Sequence, residues 1–173
     1  MIKIEGCGTL RRLANLEVEY LFQIGDNIVY PMHGVGVIEA IEEKEFPDEK
    51  QQYYVIKMSV SNMQVMIPAC KIMNSRIRPV TELLALKQIM HDFQHGESET
   101  LLTWKERYKV NTDKLKTGEI RDGAEVVRDL MRMKKEKTLN ASEKKMLESA
   151  YGFLISELEV IEGITENQIK SFC

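Results

Sequence analysis

Residues 101–137 read LLTWKERYKVNTDKLKTGEIRDGAEVVRDLMRMKKEK, and their apolar residues are spaced as on two short helices. A cationic turn at Lys116, followed by Gly118, is typical of a helix end and separates the two. The pattern therefore predicts a helix, a glycine stop and a second helix. The expected apolar stripes are Leu101, Trp104, Tyr108 and Leu115 on the first helix and Ile120, Ala124, Val127 and Met131 on the second.

The same stretch is a basic island in an acidic chain. Residues 101–137 contain 11 Lys and Arg against 7 Asp and Glu, a net charge of +4, whereas all 173 residues together carry −3. Phosphates respond to clustered cations and not to the charge summed over a molecule, because binding releases the counterions condensed near the contact. The island therefore predicts a local contact with nucleic acid.

Trp104 is the only tryptophan, and cations flank it along the predicted helix. A ring framed in this way can act as a wedge between bases, with a phosphate backbone held on either side. Against this, a tryptophan on a helical stripe is more often a core residue with a polar edge, and spacing alone favours that interpretation. The flanking cations are Lys105, Arg107 and Lys109.

Residues 25–67 have the alternation and turn signals of short strands. The predicted strands cover residues 28–30, 35–42, 53–60 and 63–67, and the last of these is the candidate edge strand. Short strands in a meander, too few for a sandwich, predict a small five-stranded β-barrel of the SH3 or Tudor type.

The remaining chain predicts more helices around those of the basic island. Residues 80–94 have one apolar face, and the last helix opens at Asn140 with Glu143 at the spacing of a capping box. The fold class is therefore α+β, a β-barrel followed by an all-helical domain of about four to five helices. The last helix is expected to bury Leu147, Ala150, Leu154, Leu158 and Ile161.

Patterns of catalysis and metal binding are missing from the sequence. His91 and His95 have a spacing that can bind a metal, but no third ligand accompanies them, so solvated or capping histidines are the better interpretation. Gly34 and Gly36 lead into a strand instead of a helix, which excludes a dinucleotide site. We therefore expect no enzyme activity, no cofactor, no metal and no small-molecule substrate.

Three motifs in the helical half match a known pattern. They are Trp104-Lys105-x-Arg107-Tyr108-Lys109-x-Asn111, the run AEVVRDL at residues 124–130 and the run EKKML at residues 143–147. Together they resemble the carboxy-terminal domain of the CarD family of bacterial transcription regulators. The resemblance implies a helical domain on promoter DNA at the upstream edge of the melted bubble, with a tryptophan in the minor groove. Trp104 occupies that position.

The β half carries motifs of the same family. Residues 25–36 read GDNIVYPMHGVG, and residues 53–56 read YYVI. Both resemble the module that docks on the β subunit of RNA polymerase, which a transcription-repair coupling factor also carries. Strand addition at an exposed sheet edge would be the physical means. The residues implied to contact the polymerase are Lys44, Val65, Met66 and Ile67.

Two of these positions depart from the family pattern. Met66 stands where relatives carry a basic residue just before the Val/Ile-Pro pair, and Lys44 stands where an arginine is used elsewhere. A bidentate arginine contact is then missing at one position and reduced to a point charge at the other. Either the polymerase partner has changed in step, or the contact is more apolar here.

The family pattern begins at Leu21, so residues 1–20 are expected to be a non-native or translated leader extension, or a weakly helical segment that frays. No apolar run approaches the length of a membrane span, so we expect a cytoplasmic protein without membrane contact, associated with the nucleoid through RNA polymerase. The expected divisions are a β domain at 21–74, a linker at 75–79, a helical DNA-binding domain at 80–163 and a tail at 164–173.

The resemblance implies a transcription regulator that tethers to the RNA polymerase β subunit and stabilises the open promoter complex. In this hypothesis a tryptophan wedges into the minor groove at the upstream edge of the bubble. The alternative is an adaptor of the polymerase that uses the same β module, buries Trp104 in the helical core and makes no direct DNA contact. The residues predicted to contact DNA are Trp104, Lys105, Arg107, Lys109 and Lys144.

Overall fold

The structure is a computed structural model that describes residues 21–46, 49–98 and 102–172. The leader prediction for residues 1–20 lies outside the described residues, as does Leu101 of the predicted stripe. A curved succession of strands comes first and helices follow, so the α+β fold class is confirmed. None of the helices in the described ranges is long and apolar enough to cross a bilayer.

Five strands form one antiparallel sheet in the order β4-β3-β2-β1-β5. Its core collects the inward-facing residues of the long strands β2 and β3, among them the fully buried Ile38, Tyr54 and Ile56. The five-stranded antiparallel prediction is therefore confirmed. The strands are β1 (Asn27–Tyr30), β2 (Gly34–Phe46), β3 (Glu49–Met58), β4 (Gln64–Pro68) and β5 (Arg78–Pro79), with a 3₁₀ helix at Ala69–Asn74 before the last.

The fifth strand lies where the sequence predicted a linker. Arg78 and Pro79 pair with Val29 and Ile28 of β1, so the chain leaves the sheet as one of its strands. Two residues with a proline give no periodic signal, because a strand needs several residues before alternation is visible. The prediction that 75–79 is a linker is therefore wrong for residues 78 and 79.

Among the described residues, the helical unit has five helices around one core. The helices α3 and α4 contribute most of its buried residues, and the core closes over Leu86 and Ile89 of the first helix. The predicted stripe of the last long helix is confirmed at Ala150, Leu154 and Leu158. The helices are α1 (Leu83–His95), α2 (Trp104–Thr117), α3 (Ile120–Glu136), α4 (Ala141–Leu158) and α5 (Glu166–Lys170).

Helix ends follow their local signals. Asn140 caps α4, because its side-chain oxygen accepts from the Glu143 backbone N–H. The Glu143 carboxylate accepts from the Asn140 backbone N–H, as a capping box requires. Gly118 ends α2 with a φ of 77°, in the left-handed region that a glycine occupies without a Cβ penalty. Both predictions are confirmed.

The segment 164–173 is not a tail without packing. Phe172 is only 1% exposed and belongs to the helical core, with its ring centroid 4.8 Å from that of Phe93 in α1. The short helix α5 delivers this ring, and its N-cap Thr165 satisfies the Gln168 backbone N–H. The helical unit therefore extends through residue 172.

We predict that Phe172→Ala destabilises the helical unit by about 3 kcal/mol, because it removes a buried ring and leaves a cavity beside Phe93. Chemical denaturation followed by far-UV circular dichroism measures the change. Lys170→Ala is the matched control, since its ion pair with Glu166 is exposed and contributes little. Equal stability of the two variants would contradict the assignment of Phe172 to the core.

Candidate nucleic-acid interface

Trp104 is the first residue of α2 and stands half outside the protein. Its side chain is 51% exposed, and the Lys105 Nζ lies 5.7 Å from the centroid of its ring. The core position that spacing alone favoured is therefore wrong. An exposed aromatic ring beside a cation is a surface that can stack on a base while the cation contacts a phosphate.

The first turn of α2 is fixed by a capping box. The Thr103 hydroxyl accepts from the Glu106 N–H, while the Glu106 carboxylate accepts from the Thr103 backbone N–H at 2.9 Å. Hydrogen bonds from the Thr103 hydroxyl and backbone lower the pKa of Glu106. Thr103 is thus the N-cap of α2. The backbone that carries Trp104 is consequently held at its first turn.

Arg107 is a structural residue and not a surface cation. Its side chain is 10% exposed, and its Nε and Nη2 both donate to Oε1 of Glu143 in α4, the former at 3.1 Å. Its Nη1 donates to the Leu102 carbonyl at 3.0 Å, just before α2 begins. The prediction that Arg107 contacts DNA is therefore corrected, since all of these guanidinium donors are engaged inside the protein.

Glu143 receives this arginine in a strongly polar pocket. Burial raises the pKa of the Glu143 carboxyl, but donation from Arg107 and from the Asn140 backbone N–H outweighs burial, and the pKa lies below its usual value. The charged form is therefore stable at neutral pH. One carboxylate thus joins the start of α4 to the start of α2.

The buried face of α2 differs from the predicted stripe. Arg107, Asn111 and Leu115 face inward, whereas Trp104 and Tyr108 are 51% and 40% exposed. An apolar stripe predicts the buried face only where apolar contact decides the helix orientation. Here the buried row at i, i+4 and i+8 begins with two polar residues, Arg107 and Asn111, before Leu115. The Asn111 Nδ2 is the one buried side-chain polar atom in the described residues without a partner.

Five of the eleven Lys and Arg residues of the basic island form ion pairs within the protein. Among the described residues, the exposed cations outside those ion pairs include Lys105 and Lys109 of α2, Lys134, Lys135 and Lys137 at the end of α3, and Lys144 of α4. Lys144 follows Glu143, so it lies at the end of α4 that meets the first turn of α2. The charge count of +4 therefore overstates what is available to phosphates. The paired residues of the island are Arg107 with Glu143, Lys114 with Glu125, Lys116 with Asp113, Arg121 with Asp92, and Arg128 with Asp129.

Two arginines of α3 bind the C-terminal end of α1 and the first residues after it. Arg128 donates to the carbonyls of Asp92 and Glu97 at 3.0 and 2.8 Å, and Arg132 donates to the carbonyl of Gly96 at 2.6 Å. These carbonyls lie at the end of α1 and at the start of the connection that follows it. Side-chain caps of this kind satisfy the carbonyls that a helix end leaves open.

The second candidate surface is the edge strand β4 of the sheet. Lys44 Nζ donates to the Met66 sulfur at 3.3 Å on the outer face, beside the ring of Tyr53. Alternate residues of β4 point the other way, and Ile67 is 8% exposed in the β core, with Val65 packed against that core. A polymerase contact at Val65 and Ile67 would therefore use mainly their backbone at the edge, and the contact predicted for this strand stays a prediction.

Sequence models of two domains match most of the chain. The CarD-like/TRCF RID domain matches residues 22–81, and the CarD C-terminal domain matches residues 88–173. A protein of Bacillus subtilis (strain 168), "Putative transcription factor YdeB", is 80% identical over 152 residues, which cover 88% of this chain and 99% of that protein. The chain belongs to the CarD-like family.

The two candidate surfaces fall in different domains of the CarD-like family. Lys44 and Met66 lie within the range of the first domain, and Trp104 and its exposed cations lie within the second. The histidine pair of α1 belongs to neither surface, since His95 bonds to the carbonyl of its own helix and stacks on His91. No group of three metal-ligating side chains occurs in the part of the chain that the structure describes.

We predict that Glu143→Gln lowers the free energy of unfolding by about 3 kcal/mol at neutral pH, because it leaves Arg107 buried without a counter-charge. The pKa of Glu143 is lowered in the folded state, so its contribution is complete above the usual value of 4.5 and is lost as pH falls below it. The difference between wild type and Glu143→Gln should therefore shrink in acid.

Denaturation at a series of pH values measures this difference. Glu148→Gln is the matched control, because Glu148 is an exposed glutamate on the same helix. A difference between wild type and Glu143→Gln that stays constant from neutral pH to pH values well below 4.5 would contradict the role of the Glu143 charge.

Proposed function

We propose that this protein is a non-enzymatic transcription regulator that tethers to the β subunit of RNA polymerase and stabilises the open promoter complex. The β unit makes the tether through the edge strand β4. The helical unit places Trp104 in the minor groove at the upstream edge of the melted bubble. The description of its relative from Bacillus subtilis as a transcription factor agrees with this role. The protein would act in the cytoplasm, at the nucleoid, through the polymerase.

The exposure of Trp104 is the observation that carries the proposal. The Trp104 ring is 51% exposed, with a lysine Nζ 5.7 Å from its centroid. The exposed part of the ring lacks the hydrophobic stabilisation that burial would give it. Insertion between base steps recovers that burial but costs a few kcal/mol of unstacking. The cost is least where the duplex is already interrupted, so the wedge selects a fork and not a base sequence.

The exposed cations supply the positioning contacts. Lys105 and Lys109 lie one turn apart on α2, and Lys144 lies at the adjoining end of α4. Contacts of this kind hold a phosphate backbone without reading sequence. Their number is small, so DNA affinity is weak, and tethering to the polymerase compensates by raising the local concentration.

On the polymerase side, β4 is the edge strand of the sheet formed by the described residues. Strand addition uses the backbone of Val65 to Ile67, and the side chains of Lys44 and Met66 on the outer face set the register. The thioether makes this contact more apolar than the basic pair of relatives. The competing function, an adaptor without DNA contact, requires no exposed Trp104, and the ring's exposure favours the wedge over it.

We predict that Trp104→Ala shortens the lifetime of the open complex about tenfold, since an aromatic ring stacked on a base contributes about 1–3 kcal/mol. Affinity for the polymerase stays unchanged. Competitor-challenge decay of complexes on a slowly opening promoter measures the lifetime. Leu84→Ala is the control, because Leu84 is 79% exposed but lies on α1 away from the cations of α2. An unchanged lifetime with Trp104→Ala would support the adaptor instead.

We predict that Met66→Asp weakens binding of the full chain to an isolated polymerase β lobe about tenfold, because a desolvated carboxylate replaces an apolar contact beside Lys44. Calorimetric titration measures the affinity. Met73→Asp is the matched control, since Met73 is 74% exposed on the 3₁₀ helix and outside β4. Equal binding by both variants would remove β4 as the docking edge.

A further inference from the structure

The C-terminal end of the tryptophan helix is held by arginines that come from the sheet side of the molecule. Arg78, in β5, donates from Nε and Nη2 to the Gly118 carbonyl at 2.9 and 2.6 Å. Arg76, two residues earlier, donates to the Lys116 carbonyl at 3.4 Å. These carbonyls are among those that the end of α2 leaves open, so cations from the β unit satisfy that end.

Arg78 is also clamped by a carboxylate of α4. Its Nη1 and Nη2 reach the two oxygens of Glu157 at 2.7 and 2.9 Å, and the side chains are 17% and 5% exposed. Glu157 accepts two further hydrogen bonds, from the Thr81 backbone N–H at 3.0 Å and from its hydroxyl at 2.8 Å. One guanidinium thus joins β5, the α2–α3 turn and α4.

The turn between β1 and β2 packs against the same junction between the sheet and the helices. A Cβ on Gly118 would lie 2.6 Å from Pro31 Cγ, and a Cβ on Gly34 would lie 3.1 Å from the Ser156 hydroxyl of α4. Both glycines have positive φ, 77° and 84°. The Ser156 hydroxyl accepts from the Val35 N–H at 3.4 Å. The two units therefore meet so closely at Gly118 and Gly34 that a Cβ would be crowded at either position.

Helix α2 connects this junction to the wedge. Trp104 is its first residue, and the carbonyls held by Arg78 and Arg76 follow its last turn. A helix of 14 residues spans about 21 Å at 1.5 Å per residue. The orientation of the indole relative to the sheet is therefore set at the far end of one rigid element.

We propose that Arg78 is a positioning residue that fixes the distance between the docking edge β4 and Trp104. This inference rests on the proposed function, in which both surfaces are engaged at once. Two linked contacts reinforce each other most when the spacer matches the distance between their targets, and a loose spacer loses that gain. Arg78 would thus set the span between polymerase and fork without touching either.

Arginine is required by the geometry of the junction. The planar fork of Arg78 meets two carboxylate oxygens and one carbonyl at once, whereas a lysine supplies a single point charge on a flexible stem. A buried ion pair is weak support for stability as such but is well suited to fixing one arrangement among several. Arg78→Lys therefore retains the charge and loses the orientation.

The test compares Arg78→Lys with Arg121→Lys in the full chain. Arg121 is the matched control, because it forms an exposed ion pair with Asp92 in the same helical unit. Trp104, the only tryptophan, serves as energy-transfer donor to a genetically encoded coumarin amino acid at position 64 on β4. Time-resolved transfer gives the distribution of distances. Affinities for the β lobe and for fork DNA are measured separately with unlabelled protein, as is the lifetime of the open complex.

We expect Arg78→Lys to broaden the distance distribution, to leave each separate affinity within about twofold, and to shorten the lifetime roughly tenfold. Arg121→Lys should change none of them. A distribution as narrow as that of wild type, or a broadened one with an unchanged lifetime, would overturn the inference. Should Arg78→Lys fail to fold, the same three measurements are made on Glu157→Gln, in which Arg78 still contacts the Gly118 carbonyl.

Trp104→Ala is measured in parallel, so that a failure of the positioning role can be distinguished from a failure of the proposed function. If Trp104→Ala shortens the lifetime and Arg78→Lys does not, the positioning role fails and the proposed function stands. If neither changes the lifetime, the proposed function fails, and the positioning role in transcription fails with it. If both shorten it and Arg78→Lys broadens the distances whereas Arg121→Lys does not, the positioning role is supported.

Discussion

Arg107 and Glu143 meet in the interior between α2 and α4, and the exposure of Trp104 follows from that contact. The two residues Trp104 and Arg107 are about 60° apart around the helix axis, so a modest rotation of α2 would bury the ring and expose the guanidinium. Burying the exposed half of an indole would gain about 2.5 kcal/mol. Leaving Glu143 buried and unpaired would cost about 3–5 kcal/mol. The ion pair therefore decides which face of the helix points outward.

The contrast between local and long-range contacts explains which parts of the structure could be predicted from the sequence. Gly118, Thr103 and Asn140 act on the backbone within three or four residues, and their helix ends lie where the sequence placed them. The alternation of β2 and β3 is equally local. These signals predicted the fold class and several helix ends, because each depends on neighbours in the chain. Strands β2 and β3 each extend four residues further than predicted, to Phe46 and from Glu49.

Long-range contacts account for the errors. Arg107 and Glu143 are 36 residues apart, and no periodicity relates them, so a flanking cation was mistaken for a surface residue. Phe172 reaches the core by meeting Phe93 from the other end of the helical unit. Arg78 becomes part of a strand only because β1 is there to pair with it. The candidate site was nevertheless found, because its exposed members Trp104, Lys105 and Lys109 are neighbours on one helix.

Helix α4 holds both ends of α2, which gives the site its rigidity. Glu143 and Glu157 are 14 residues apart on α4, close to four turns, so they lie on nearly the same face and about 21 Å apart. Helix α2 is itself 14 residues long, with Arg107 in its first turn bound to Glu143 and its last carbonyls tied through Arg78 to Glu157.

Two arginine–glutamate pairs, one at each end, leave α2 little freedom to tilt, whereas a single pair would act as a pivot. The Arg107–Glu143 pair opposes rotation about the α2 axis at the first turn, and the Arg78–Glu157 pair opposes displacement of the last turn. An exposed aromatic ring on a helix held only at one end would average over many orientations and lose much of the stacking it could offer. The exposed orientation of Trp104 is therefore a property of two helices and one strand, and not of the tryptophan alone.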